Sequence, residues 1–273
     1  MNIETGFVEV NGANLYFERA GAGPPLIMIH AGIADCRMWD HEFTALADSY
    51  QTLRFDMRGY GRSLPAAGEF NIQDDLDGLL AALDIPAPII LMGCSMGGGL
   101  AIEFALAQPE QVSALLLVGS DPRGFEGDAA WPDELIAQSE AAFEQGKVDE
   151  VAELDMQIWF DGVGRSRDDV DPAIRAKAFE MARQVTVHEL SGIGEHKRKT
   201  AEVSPAQRLT ELTMPALVII GEKDLPYLHQ AADYMAEQLP RARKLILPNA
   251  AHLPNMEHPA LFEASIREFL AGV

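Results

Sequence analysis

Cysteine is nearly missing from this chain of 273 residues: only Cys36 and Cys94 occur, too few for the disulfide frameworks that hold small secreted folds together. Basic residues are scarce too, 21 Lys and Arg against 42 Asp and Glu, for a formal net charge of −21. Such a surface repels phosphate backbones and anionic headgroups, so neither a nucleic-acid nor a membrane partner is expected. Apolar runs such as 215–221 are far too short to span a bilayer. The opening residues show no basic n-region and no apolar h-region, so no secretory signal is visible and the expected location is cytoplasmic. Metal and cofactor signatures are lacking: there is no Cys pair, no H-E-x-x-H and no G-x-G-x-x-G, and none of either group is expected.

What is present is ordinary globular material, with 48% hydrophobic and 23% charged residues, a balance that excludes intrinsic disorder. Asn11-Gly12 lies between apolar stretches at 7–10 and 15–18, predicting an N-terminal β-hairpin. Short runs rich in Val, Ile and Leu recur at 26–29, 52–55, 89–92, 114–118, 216–220 and 244–247. They lack polar alternation, which suits strands covered on both faces. Helical stripes at 74–83 and 261–270 alternate with them, indicating βαβ crossovers. Between 122 and 208 the rhythm changes to amphipathic helical segments, clearest at 133–143, 148–160 and 171–187. The expected fold class is therefore α/β: a mostly parallel sheet flanked by helices, with an N-terminal hairpin and an all-helical cap insertion. The core would comprise 1–121 and 209–273, and the cap 122–208.

The sharpest chemical signal is Gly93-Cys94-Ser95-Met96-Gly97, which follows the apolar run 89–92 and precedes a helical pattern. This is G-x-S-x-G in the strand–turn–helix setting that it requires. Glycines on either side let backbones pass closely, and the turn holds the Ser95 hydroxyl at the carboxyl end of the sheet. Cys94 fills an x position, where a buried, inert thiol is expected.

With this motif the chain resembles the α/β-hydrolase fold superfamily, specifically its cap-bearing serine esterase and lactonase-like members, over nearly its whole length. The segment Asp56-Met57-Arg58-Gly59-Tyr60-Gly61-Arg62-Ser63 matches that family's D-x-R-G-x-G-x-S, with Asp and Arg expected to satisfy local backbone groups. The resemblance implies the order Ser, acid, base along the chain. Of seven histidines, His252 follows the last strand ahead of the C-terminal helix, where the family keeps its base. His258 opens the helix itself. Asp224 stands at the usual offset from its strand for the acid, with Glu222 in the same loop and Asp121 after 114–118 as rivals. Oxyanion donors are expected from the backbone of Met96 and from the loop His30-Ala31-Gly32-Ile33. Position matching gives Gly32, and Ile33 remains the alternative because Ala31 replaces the usual glycine. His30 is expected to orient this loop. Trp39 and Trp159 are expected to bound the substrate pocket.

These residues imply a serine hydrolase acting on a small-molecule ester or lactone through an acyl-enzyme. Lactonase, C–C hydrolase and perhydrolase activities share such a site, and a ligand receptor that has lost turnover is the alternative outside catalysis. Multiple turnovers of p-nitrophenyl butyrate would discriminate between the two classes. Oligomeric state is not legible.

Overall fold

The structure, a computed structural model, describes residues 2–63, 70–192 and 203–273. The hairpin forms from β1 (Ile3–Val10) and β2 (Ala13–Ala20), with Val10 opposite Ala13. Asn11 and Gly12 both take positive φ, 48° and 76°, as a turn matched to strand twist demands. Six further strands follow: β3 (Pro25–Ile29), β4 (Gln51–Phe55), β5 (Ile89–Cys94), β6 (Val112–Val118), β7 (Ala216–Gly221) and β8 (Ala242–Leu247). Together they make an eight-stranded sheet in the order β1-β2-β4-β3-β5-β6-β7-β8. Only the β1–β2 and β2–β4 pairings are antiparallel. The reading of the runs as strands covered on both faces holds for β3, β5 and β7, every residue of which is buried. β8 is an edge strand carrying exposed Arg243 and Lys244, charges that discourage pairing with another chain.

The helices are α1 (Asp40–Ala45), α2 (Ile72–Ala82), α3 (Met96–Ala107), α4 (Asp133–Glu144), α5 (Val148–Asp155), α6 (Pro172–Leu190), α7 (Pro226–Gln238), α8 (Pro254–Glu257) and α9 (Pro259–Leu270). Successive strand residues point to opposite faces. Ile27, Leu91, Leu117 and Val218 therefore pack with Leu76, Leu100 and Leu228 on one side. Met28, Met92, Leu116 and Leu217 pack with Trp39, Phe262 and Phe269 on the other. Each such side chain taken fully out of water contributes roughly 1.5–3 kcal/mol.

Between β6 and β7 the described residues contain no strand. Asp171 caps α6, its carboxylate accepting the N–H groups of Ala173 at 2.8 Å and Ile174 at 3.0 Å, with Pro172 in the first turn. The 148–160 stretch is not one regular helix. After α5 the chain widens into a π-helical turn, Met156–Asp161, which Gly162 ends at a φ of 77°. Such turns displace side chains and carbonyls from the regular ladder.

The Asp56–Ser63 segment behaves only partly as expected. Asp56 serves nearby backbone, accepting from the N–H of Cys36 at 2.9 Å and of Arg62 at 2.8 Å. Arg58 instead reaches away from its own turn. It forms a buried ion pair with Asp75 of α2 at 2.6 Å and donates to the carbonyls of Val10 and Asn11 in the hairpin.

Candidate active site

The site is assembled at the carboxyl ends of neighbouring parallel strands, where open α/β sheets leave a crevice. At the end of β5, Ser95 adopts a φ of 51° and a ψ of −116°, a strained backbone for any residue with a Cβ. Surrounding contacts hold it there. The Ser95 N–H donates to Val118 O of β6 at 2.8 Å, and its carbonyl accepts from Gly98 and Gly99 at 2.9 and 3.0 Å. The flanking glycines are required by close approach. A Cβ on Gly93 would run into the backbone of Gly97, and one on Gly97 into the carbonyls of Ile29 and His30. The elbow thus presses directly on the loop after β3. Ser95 itself is half-buried.

His252 and Asp224 are buried. Nδ1 of His252 lies 3.0 Å from Oδ2 of Asp224 and 3.2 Å from Oδ1. Oδ1 also accepts the Leu225 N–H at 2.8 Å, fixing the carboxylate. The His252 N–H donates to Trp159 O at 3.2 Å, and the two rings are 4.8 Å apart. The His252 loop meets the elbow through the Cys94 thiol, which donates to His252 O at 3.6 Å. Complete burial pushes the Cys94 thiol well above its ordinary range, which makes it a poor nucleophile.

The rival carboxylates are placed differently. Glu222 is exposed, binds Lys223 Nζ at 3.0 Å and accepts the Asn249 N–H at 2.9 Å, which holds its carboxyl below the usual range. Asp121 follows β6, and burial raises its carboxyl while the neighbouring His252 opposes that rise. Neither takes the His252 hydrogen bond. Of the other histidines, His41 pairs with Glu263 and His188 with Gly59 O. His196 lies outside the described residues. His258 precedes α9, its buried Nε2 having no partner among the described residues.

Met96 opens α3, so its backbone N–H has no carbonyl within the helix to donate to. Gly32 faces it, a Cβ there lying 3.9 Å from the Met96 Cβ. The Ala31 N–H is occupied by Met38 Sδ at 3.3 Å. His30 is wholly buried, which lowers its pKa and keeps it neutral. Its Nδ1 donates to Ala31 O at 2.8 Å and its Nε2 accepts the Met57 N–H at 3.0 Å, tying the β3 loop to the β4 loop.

The two tryptophans separate. Trp159 is half-buried against His252, with Trp131 edge-on at 6.3 Å and Tyr227 beyond at 4.5 Å from Trp131, so an aromatic wall leads outward from His252. Trp39 is not brought to the site. It has no exposed surface and packs on Phe262 at 6.2 Å, because the turn Cys36–Trp39 delivers it to the opposite apolar layer.

Among the described residues, one group has metal-ligand character: Asp35, Cys36 and Asp56, with ligand atoms within 4.8 Å of one another. Their lone pairs are already committed to Arg37 and to backbone N–H groups, and burial raises the Cys36 thiol far above its ordinary value. Sequence reasoning does not single out Gly119, Arg165 or Glu257, which pack on or hydrogen-bond to the His252 loop. No motif marks them.

Residues 24–259 match the model of the alpha/beta hydrolase fold family. A pimeloyl-[acyl-carrier protein] methyl ester esterase of Aeromonas hydrophila is 30% identical over 256 residues, covering 93% of this chain and 98% of that protein. A thermophilic esterase from Thermogutta terrifontis superposes with a TM-score of 0.78 at 25% identity, covering 98% of each chain. The enol-lactonase from Burkholderia xenovorans LB400 shares the fold, with a TM-score of 0.77 at 21% identity over 97% of this chain and 100% of that one.

Proposed function

The chain belongs to the α/β-hydrolase fold family, and from that premise we propose that it is a serine hydrolase cleaving carboxylic esters through an acyl-enzyme. The observation that carries this reading is the buried His252–Asp224 pair at 3.0 Å beside the strained elbow of Ser95. Ser95 attacks the ester carbonyl while His252 takes its proton, as an unassisted hydroxyl is a weak nucleophile. Asp224 holds the imidazole with Nδ1–H towards itself and stabilises the imidazolium that forms. Negative charge on the former carbonyl oxygen is met by the N–H groups of Met96 and Gly32. His252 then protonates the departing alcohol. In the second half it activates water, which attacks the acyl-enzyme and releases the acid.

The helices within 122–208, a range of which 193–202 lie outside the described residues, act in this reading as a cap, with Trp159 as a wall of the substrate pocket. The aromatic surface from Trp159 to Tyr227 favours apolar acyl or alcohol groups. The name of the Aeromonas relative favours a finer second reading, the methyl ester of an acyl chain on a carrier protein. The net charge of −21 opposes it wherever the carrier presents anionic groups.

Labelling with a fluorophosphonate tests the first reading. Ser95 is expected to be modified and Ser95→Ala to be inert in both labelling and p-nitrophenyl butyrate turnover; a folded wild type that resists labelling overturns it. A panel of methyl esters, aryl esters and lactones of graded acyl length, free and carrier-linked, assigns the substrate class.

A further inference from the structure

The segment from Trp159 to Arg165 grips both loops that carry the Asp–His pair. Trp159 O accepts the His252 N–H at 3.2 Å, and the Val163 N–H donates to Lys223 O, next to Asp224, at 2.7 Å. Between them Gly162, at a φ of 77°, passes so close to the same loops that a Cβ would stand 2.6 Å from both Ala251 Cβ and Lys223 O.

Arg165 closes the arrangement. Its Nε donates to Asp161 O at 2.6 Å and its Nη2 to Phe160 O at 3.0 Å, binding the end of the π-helical turn. Its Nη1 donates to Asn249 O at 2.6 Å and Glu257 Oε2 at 2.7 Å, on the far side of the base loop. Glu257 in turn uses Oε1 to accept the N–H of Ala251, immediately before His252, at 2.6 Å. The Arg165 and Glu257 side chains are only 10% and 8% exposed. Solvent screening is therefore weak, and charge-assisted bonds of this kind are short and directional. A shielded ion pair is poor evidence of net stabilisation. Four acceptors around one planar guanidinium are instead evidence of geometric control, which the single amine of lysine does not reproduce.

We propose that Arg165 and Glu257 are a positioning pair that holds His252 in register with Asp224, by clamping the Ala251–His252 backbone to the π-helical turn. The pair touches no reacting atom. It acts by fixing both ends of the base loop, so that the imidazole is already placed when Ser95 must lose its proton. The inference rests on the triad proposed above, and the test separates the two.

Arg165→Met, Arg165→Lys and Glu257→Gln are compared with wild type for kcat and KM on p-nitrophenyl butyrate and for the rate of fluorophosphonate labelling. Circular dichroism and Tm verify the fold. Arg165→Met and Glu257→Gln are each expected to lower kcat about tenfold or more and to slow labelling by the same factor, with KM within about twofold of wild type, since small misplacement of a catalytic group is costly. Arg165→Lys should recover part of the loss. If Arg165→Met does not fold, Glu257→Gln decides, because it keeps the side-chain size and an oxygen for the Ala251 N–H. Folded variants at wild-type kcat and labelling rate, or a change confined to KM, overturn the positioning role alone. A wild type unlabelled at Ser95 overturns the triad and this inference with it.

Discussion

A methyl group on Gly119 would stand 2.9 Å from Nδ1 of His252 and 3.2 Å from Oδ2 of Asp224. The Asp–His pair therefore rests on bare backbone at the end of β6. That backbone is itself held, with Gly119 at a φ of 52° and its N–H donating to Ile219 O at 2.8 Å.

Gly119→Ala should consequently push the imidazole off its carboxylate. The expected loss in kcat is about 100-fold. A stability loss of roughly 1–2 kcal/mol should accompany it, since a Cβ is disfavoured at this φ. Steady-state kinetics and a melting curve measure both. Wild-type turnover in the variant would mean that the pair is not part of the reacting machinery.

Asp224→Asn and Asp121→Asn separate the carboxylate that hydrogen-bonds His252 from the one that only senses its charge. Asp224→Asn should cut kcat by about 10³–10⁴, because an amide stabilises the wrong imidazole tautomer. Asp121→Asn, which alters only a nearby charge, should stay within about tenfold of wild type. The reverse ranking would move the acid to the end of β6.

Ser95→Gly should abolish turnover and yet raise stability. The serine occupies a backbone conformation costing about 1–3 kcal/mol for a residue with a Cβ, and glycine adopts it freely. A rise in Tm of about 2–4 °C is expected for each kcal/mol of strain released. A fall in Tm would show that the hydroxyl makes interactions outweighing the backbone strain.

Glu42 gives a pH dependence unrelated to catalysis. Burial pushes its carboxyl up from 4.5 to about 8, and its one side-chain donor among the described residues, Asn255 Nδ2, is 3.4 Å away. Between those values the folded protein keeps a proton that the unfolded chain has released, so this group's contribution is full below pH 4.5 and lost as pH rises through 8. Glu42→Gln carries no such proton. The Tm difference, variant minus wild type, should therefore grow between pH 5 and pH 8, reflecting on the order of a few kcal/mol. A constant difference across that range would show that Glu42 is ionised in the fold.

Much of the architecture is legible from local pattern. Asn11-Gly12 demands its tight turn, and the alternation of Val, Ile and Leu runs with amphipathic stretches demands a parallel sheet. The glycines around Ser95 mark an elbow because backbone contacts there leave no room for a Cβ. All of these are short-range effects, decided within a few residues along the chain.

What local pattern cannot decide is which distant groups meet. Asp121, Glu222 and Asp224 all follow strand ends, and nothing in their neighbours ranks them by distance to an imidazole encountered much later in the chain. Sheet order and loop packing bring Asp224 to His252 and leave Glu222 in solvent. Trp39 sits close in sequence to the loop of Gly32, but the intervening turn rotates it into the opposite apolar layer. Arg165 and Glu257 carry no motif, because their meaning lies in four acceptors drawn from separate segments. The sequence by itself determined the elbow, the strand rhythm and the helical stretch between β6 and β7. Tertiary structure alone decided that Trp159 O, Arg165 and Glu257 hold the His252 loop and that Trp39 turns away, since such contacts are set by ångström distances between groups that chain order does not constrain.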